Sequence, residues 1–324
     1  MRPPILQLAD FPRWAERLRQ PWHDRYYAMY SSVFGGIVTD PRLMLLPMDD
    51  HLVHRGDGIF EAFKIVDGAI YNFQAHLDRL RDSARGLSLA MKWTDAELTE
   101  IVRDTVRAGG RRDATARIYV SRGPGSFSVS PYDGPGPQLY VLATATGTPF
   151  MLAHPAGARV RTSAVPPKDA ALAITKTCNY VPNVLMKKEA LDAGVDFTVG
   201  FDARACLTEG AVENFGIVTR DRRLLFPKLD SILPGTTMLR IMELARSLLA
   251  DGELREVGHA DLPRAAVEQA AELLVAGTTI HLTAAVEFDN HPIGDGRPGP
   301  LYRRLSALFE QDLTGNAALR TPVD

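Results

Sequence analysis

Ile174-Thr175-Lys176-Thr177-Cys178-Asn179-Tyr180-Val181-Pro182-Asn183 is the stretch on which the reading of this chain turns. A lysine stands at what reads as a strand end, followed by polar turn residues and a helix beginning near Asn183. The residues ahead of it, Ala170-Ala171-Leu172-Ala173-Ile174, form an apolar approach that would carry the lysine inward. A lone lysine is ordinarily a solvated surface charge. A desolvated one has a lowered pKa and becomes a nucleophilic amine, the group that Schiff-base chemistry requires.

Three further features gain meaning beside it. In Cys206-Leu207-Thr208-Glu209-Gly210-Ala211-Val212-Glu213-Asn214 a carboxylate precedes a glycine and a β-rich run. Glu209 is either an exposed turn residue or, if buried, paired, because an unpaired internal carboxylate is costly. A pyridinium N–H would be one such partner. Two Gly-Thr-Thr steps follow, Gly235-Thr236-Thr237 leading into a helix and Gly277-Thr278-Thr279 after a buried strand. They read as plain caps or as an anion site of free N–H groups and hydroxyls. Arg79, on a helix nearer the start, suits bidentate phosphate binding. A reactive lysine, a carboxylate for a ring nitrogen and a phosphate cradle are the three handles of pyridoxal 5′-phosphate. The residues alone leave this as one hypothesis among several.

Outward from these segments the elements fall into two groups. Tyr26 to Phe34 reads as a strand closed by Gly35-Gly36, and Ile59 to Val66 as a strand ending in the hairpin dipeptide Asp67-Gly68. Phe73, Leu77, Leu80, Ala84 and Leu87 recur at helical spacing, with His76, Arg79 and Arg81 on the other face. Thr94 and Glu97 form a capping box for the next helix. Strands are expected at 116–121 and 138–143. Beyond a Pro- and Gly-broken stretch come helices at 183–193, 237–249 and 300–312, with strands at 197–201, 211–219 and 272–276. The expected fold is a two-domain α+β and α/β chain. Residues 1–25 read as an N-terminal extension, 26–147 as a small α+β domain, 148–157 as the linker, and 158–324 as a larger mixed α/β domain.

The chain has 324 residues, 45% of them apolar, with 37 Lys+Arg against 39 Asp+Glu and a net charge of −2. Such a balance argues against a dedicated nucleic-acid binder and against general disorder. Two cysteines make no disulfide framework. No apolar run is long enough for a membrane span, and the first residues are charged and Pro-rich where a signal peptide would be apolar. A soluble, cytoplasmic, globular protein is expected. The dinucleotide, Walker A, His-Glu-x-x-His and Gly-x-Ser-x-Gly patterns are missing. His51 and His54 lack a nearby third ligand in sequence, so no metal is expected.

The ordered set Gly56-Asp57-Gly58-Ile59-Phe60-Glu61, His76-Leu77-Asp78-Arg79-Leu80, Lys176-Thr177-Cys178-Asn179-Tyr180, Thr208-Glu209-Gly210 with Asn214, Leu233-Pro234-Gly235-Thr236-Thr237 and Ala276-Gly277-Thr278-Thr279 resembles the class IV aminotransferases. These are the fold-type-IV pyridoxal-phosphate enzymes, which include branched-chain aminotransferases, D-amino-acid aminotransferases and 4-amino-4-deoxychorismate lyases. The likeness spans roughly Tyr26 to Asp312. It implies that the larger domain binds the cofactor and that Lys176 is the Schiff-base lysine, moving a proton between Cα and C4′. Glu209 would face the pyridine nitrogen, and Tyr180 would lie near the phenolic oxygen. Arg79, the amides of Thr236 and Thr237, and Thr278 would hold the phosphate. A homodimer is expected from the family.

The branch is less sharply marked. Lys-x-x-Asn-Tyr-x-Pro-Asn and the stretch from Met29 to Gly56 look most like the plant-type D-amino-acid aminotransferase and lyase-like proteins. Bacterial D-specific enzymes carry an Arg-x-His carboxylate trap, and here Phe127 and Val129 fall in its place. The extra glycine that branched-chain enzymes place between lysine and Asn-Tyr is also absent. Arg117 and Arg55 are the candidates for the substrate carboxylate, with His54 and Phe60 lining the pocket. The expected reaction is ping-pong transamination between an amino acid, D slightly favoured, and a 2-oxo acid. Pyruvate elimination from aminodeoxychorismate, branched-chain L-amino-acid transamination and non-catalytic cofactor binding are the alternatives. Intact Lys176 and Glu209 speak against the last, since a carrier needs no electron sink.

Overall fold

The computed structural model describes residues 2–324. After a short helix, α1 (Phe11–Leu18), the chain builds a sheet from β1 (Tyr26–Ser31), β2 (Gly36–Val38), β3 (Gly58–Val66), β4 (Ala69–Tyr71), β5 (Ala114–Ser121) and β6 (Gln138–Thr144). The turn α2 (His51–Arg55) precedes β3. Asp67 and Gly68 both take positive φ, the backbone a tight hairpin between β3 and β4 requires. Helices α3 (Phe73–Gly86) and α4 (Asp95–Ala108) cover one face, burying Ile59 and Phe63 against Leu77, Leu80 and Val102. The capping box of α4 forms as the sequence predicts, with Thr94 N donating to Glu97 Oε2 at 2.7 Å and Glu97 N to Thr94 Oγ1 at 3.2 Å.

Period-two alternation decides what the other face presents. In register, Phe60 lies opposite Tyr119 and Ala62 opposite Arg117. Because Ile59 and Phe63 point to the helices, Phe60, Ala62, Arg117 and Tyr119 point away from them, into the cavity described below.

The second sheet begins after the short helix α5 (Phe150–Ala153), with β7 (Ala158–Thr162). The turn α6 (Ala170–Ala173) and helix α7 (Val181–Asp192) follow, then β8 (Phe197–Phe201), β9 (Leu207–Gly210), β10 (Asn214–Val218) and β11 (Arg223–Pro227). Next come α8 (Thr236–Ala245), α9 (Ser247–Ala250), β12 (Glu256–Ala260), α10 (Arg264–Glu268), β13 (Glu272–Gly277), β14 (His281–Phe288) and β15 (His291–Pro292). The order is β12-β11-β10-β13-β14-β7-β8-β9, and β9 also pairs with β10 through Glu209 and Asn214. That extra pairing closes a ring of strands around Val199, Phe215, Ile217 and Val275. Helices α8 and α11 (Pro300–Gly315) pack outside it. A last strand, β16 (Arg320–Pro322), returns to pair with β4 in the first sheet, a return that the reading of 158–324 as one unit does not foresee.

Several expectations need correction. Lys176 is not at a strand end: it follows the turn α6 in an irregular segment whose one bridge pairs Thr177 with Ile59. Helix α7 starts at Val181, where Pro182 fits the first turn. His76 and Arg79, on the helix face away from Leu77 and Leu80, are both buried, because Glu61 on β3 draws them inward. Gly277-Thr278-Thr279 follows its buried strand as expected, and makes a tight turn from β13 into β14. The strand expected at 211–219 is shorter, since Ala211 to Glu213 form the turn between β9 and β10.

Candidate active site

Lys176 is fixed from three sides by its backbone neighbours. Its N–H donates to Ser83 Oγ of α3 at 3.0 Å, its carbonyl accepts from Phe60 N at 3.0 Å, and Cys178 N donates to Gly58 O at 2.8 Å. The side chain therefore projects from a rigid seam between the two sheets. Its Nζ lies 4.4 Å from the centre of the Phe60 ring and donates to the Tyr180 hydroxyl at 3.3 Å. Burial, with the Arg79 guanidinium nearby, pulls its pKa down to about 8, while Glu61 and Glu209 oppose that shift.

The amine opens on a cavity of about 360 Å³, within the range of small-molecule sites. Phe60, Arg79, Arg117, Lys176, Tyr180, Thr236, Thr237 and Thr278, distant in sequence, all face it. Arg55 and His54 do not: α2 turns them toward the loop after β5, where Arg55 Nη2 donates to Phe127 O at 2.7 Å and the His54 ring lies tilted against Phe127, 5.1 Å away. Arg117 donates to Thr144 Oγ1 at 3.1 Å and has no carboxylate partner among the described residues.

At one end of the cavity the first turn of α8 is laid open. Gly235 precedes it without a side-chain cap, and a Cβ there would stand 1.8 Å from Asn214 Oδ1. Among the described residues no acceptor meets the N–H groups of Thr236, Thr237 and Met238. Unpaired helix-start N–H groups form an anion site. Arg79 stands beside them, its Nη1 donating to Pro234 O at 3.1 Å.

Glu61, to which the sequence reading assigns no role, organises this end. Its carboxylate accepts from Arg79 Nε at 2.7 Å and Nη2 at 2.8 Å, and from His76 Nδ1 at 2.6 Å. Burial would raise its pKa, yet Arg79 and His76 hold it at about 2. Burial also keeps His76 below the ordinary histidine range, hence neutral, so its Nε2 accepts the Thr236 hydroxyl at 3.3 Å. Thr236 can thus offer a ligand its amide but not its hydroxyl proton. The missed signal was parity: Glu61 shares a strand face with Ile59, Phe63 and Ile65, where a charge must find a buried partner.

Glu209 lies behind the cavity, on β9 opposite Asn214. Its Oε2 accepts from Leu233 N at 2.9 Å. Its other oxygen meets no donor among the described residues. Burial raises its pKa against the pull of that amide and of Lys168, Lys176 and Arg79, and a cationic N–H on the free oxygen would restore the ionised form. An amine and a row of unpaired N–H groups around one cavity, with a carboxylate bearing a free oxygen behind it, fit a pyridine aldehyde bearing a phosphate.

A family model described as amino-transferase class IV matches residues 58–288 of this chain. The chain is 34% identical over 290 residues to the chloroplastic D-amino-acid transaminase of Arabidopsis thaliana, covering 89% of this chain and 77% of the relative. It is 28% identical over 275 residues to a branched-chain-amino-acid aminotransferase of Pseudomonas aeruginosa, covering 82% and 87%. Among solved structures, a branched-chain amino acid aminotransferase complexed with N-(5′-phosphopyridoxyl)-L-glutamate superposes with a TM-score of 0.83 at 25% identity, over 93% of this chain and 99% of that one.

Proposed function

Because this chain belongs to the class IV aminotransferase family, we propose that it moves an amino group between an amino acid and a 2-oxo acid by a ping-pong mechanism, with D-amino acids the favoured donors. It is a pyridoxal 5′-phosphate-dependent transaminase; the donor and its handedness are the part proposed. The observation that carries the reading is that Lys176, the open start of α8 and the carboxylate-free Arg117 share one cavity.

When bound, the cofactor supplies an aldehyde that accepts the amino group and a cationic ring that draws electrons from the substrate Cα. In the proposed roles, Lys176 anchors that aldehyde and, partly free base at neutral pH, takes and returns a proton at the substrate Cα. The Tyr180 hydroxyl orients the amine. Glu209 holds the ring nitrogen's proton in place. The amides of Thr236 and Thr237, with Thr278 and Arg79, hold the phosphate. Arg117 binds the substrate carboxylate, and Phe60 forms an apolar wall with Tyr119, stacked 5.7 Å from it.

The D preference is supported by the likeness to the Arabidopsis thaliana D-amino-acid transaminase. Turnover of matched D- and L-amino acids with a common 2-oxo acid, followed by product formation, tests it. Faster turnover of the D series is expected, and turnover confined to L donors overturns it. Arg117→Gln is expected to lower kcat/KM by roughly a hundredfold, mostly through KM, as loss of a charge pair in a desolvated site does. A homodimer belongs to the same proposal. It is supported by the exposed apolar side chains of Ile174, Val181, Val184 and Leu185 beside the lysine segment, since such patches mark association surfaces.

A further inference from the structure

Behind the threonines runs a second row of titratable groups that the roles above leave unused. Lys64 Nζ on β3 donates to His281 Nε2 on β14, and His281 Nδ1 donates to Glu310 Oε1 on α11 at 2.6 Å. Lys64 and His281 are buried. The two ring nitrogens of His281 thus link the Lys64 amine to the Glu310 carboxylate. His281 also holds a φ of 61°, a left-handed conformation that a non-glycine residue keeps only when its surroundings impose it.

Charge bookkeeping gives this row a purpose. The Arg79 guanidinium is matched by the Glu61 carboxylate, so the pair brings little net charge to the cradle. The start of α8 contributes about half an elementary charge. A phosphate dianion placed there would remain under-compensated. Lys64 is the nearby cation whose direct partner is an imidazole, for no carboxylate lies within ion-pair distance of it among the described residues. It lines a small space of about 10 Å³ together with His76, Thr236, Thr237, Thr278 and His281. That space has room for about one water molecule, enough to pass the charge on.

We propose that Lys64 is a further counter-charge of the phosphate site, held in line by His281 and Glu310. This rests on the placement of the phosphate against Thr236, Thr237 and Thr278. The groups facing Lys64 are His281 and Glu310, His76 from α3, and Tyr71 from β4, whose hydroxyl is tied to Asp312. Burial holds the Lys64 pKa at about 8, against the pull of Glu310. An arriving anion raises it again, so phosphate binding takes up a proton above pH 8. The share of affinity due to the phosphate then falls as pH rises past that value.

The test strips the full chain of cofactor and titrates it with pyridoxal 5′-phosphate and with pyridoxal at pH 7 and 9. The ratio of the two affinities reads the phosphate alone and cancels the contribution of Lys176. Lys64→Met is expected to lower that ratio about tenfold at pH 7, as loss of a charge-assisted contact does, and to remove its fall between pH 7 and 9. Lys64→Arg is expected to restore the ratio and keep it level to pH 9, because a guanidinium does not titrate there. An unchanged ratio in Lys64→Met, with Thr278→Val lowering it, overturns this assignment and leaves the phosphate site standing. No change in either variant takes down both. Should Lys64→Met not fold, Lys64→Arg decides alone, and a ratio that still falls from pH 7 to 9 overturns the proposal.

Discussion

An amine with a pKa of about 8 is free base in roughly a quarter of molecules at pH 7.5, against about one in a thousand for a lysine in water. That difference comes from the burial of the amine and the nearby Arg79 guanidinium, not from the apolar approach at 170–174, where only Ala173 is buried. Capture of pyridoxal, which lacks the phosphate, is expected to rise with pH through about 8 and to level off above it, since only the deprotonated amine attacks. Lys176→Ala is expected to abolish turnover, and borohydride reduction followed by mass spectrometry should find the cofactor on residue 176 in the parent alone. Retained turnover would move the nucleophile elsewhere. Glu209→Ala is expected to cost about a hundredfold or more in rate, because it removes a charge aimed at the reacting ring. Bound cofactor, read by its absorbance, should fall much less. A neutral effect would remove Glu209 from the site.

Helix α8 and strand β3 carry the element-scale logic. The start of α8 can face a ligand only because Gly235 lets the backbone pass Asn214, whose Nδ2 is anchored on Leu233 O at 2.9 Å. Gly235→Ala is expected to push that turn away, costing about 1–3 kcal/mol as overpacking does, with weaker cofactor binding measured by equilibrium titration. On β3, Glu61 has a pKa of about 2 in the fold against an ordinary value of 4.5. A depressed carboxylate contributes stability that is complete above its unfolded pKa and lost as pH falls through the folded one. The contribution of Glu61 is therefore lost between about pH 4.5 and 2. Denaturant melts across that window should show a steeper acid loss in the parent than in Glu61→Gln; parallel curves would refute the pairing.

At the scale of the whole molecule, the site exists only because two sheets and a returning chain meet. The first sheet gives Phe60 and Arg117, the α3 helix gives Arg79, and the second half gives Thr236, Thr237 and Thr278. Strand β16 ties the chain end back to β4, and Arg320 donates to Val66 O at 2.9 Å. The exposed Val181, Val184 and Leu185 lie on one side of α7, next to Lys176. Sedimentation is expected to give a dimer, and Val184→Lys to shift it toward monomer with a loss of activity. A fully active monomer would dismiss this face as an interface.

Local features were readable from the residues. The Asp67-Gly68 hairpin, the Thr94–Glu97 box, helices α3 and α7, and strand β8 follow from turn chemistry, caps and periodicity, which act over a few positions. The cofactor was legible only through the family likeness of the ordered motifs, since Lys176, Glu209 and the threonine steps by themselves left it one hypothesis among several. What only the tertiary structure decided is which charges face each other. Glu61 with Arg79 and His76, Lys64 with His281, and Arg117 rather than Arg55 at the cavity depend on strand register and on contacts between residues up to 217 positions apart. Periodicity assigns a residue to a face, but the partner across that face is chosen by packing, since a buried charge is tolerated only where a second chain segment delivers its complement.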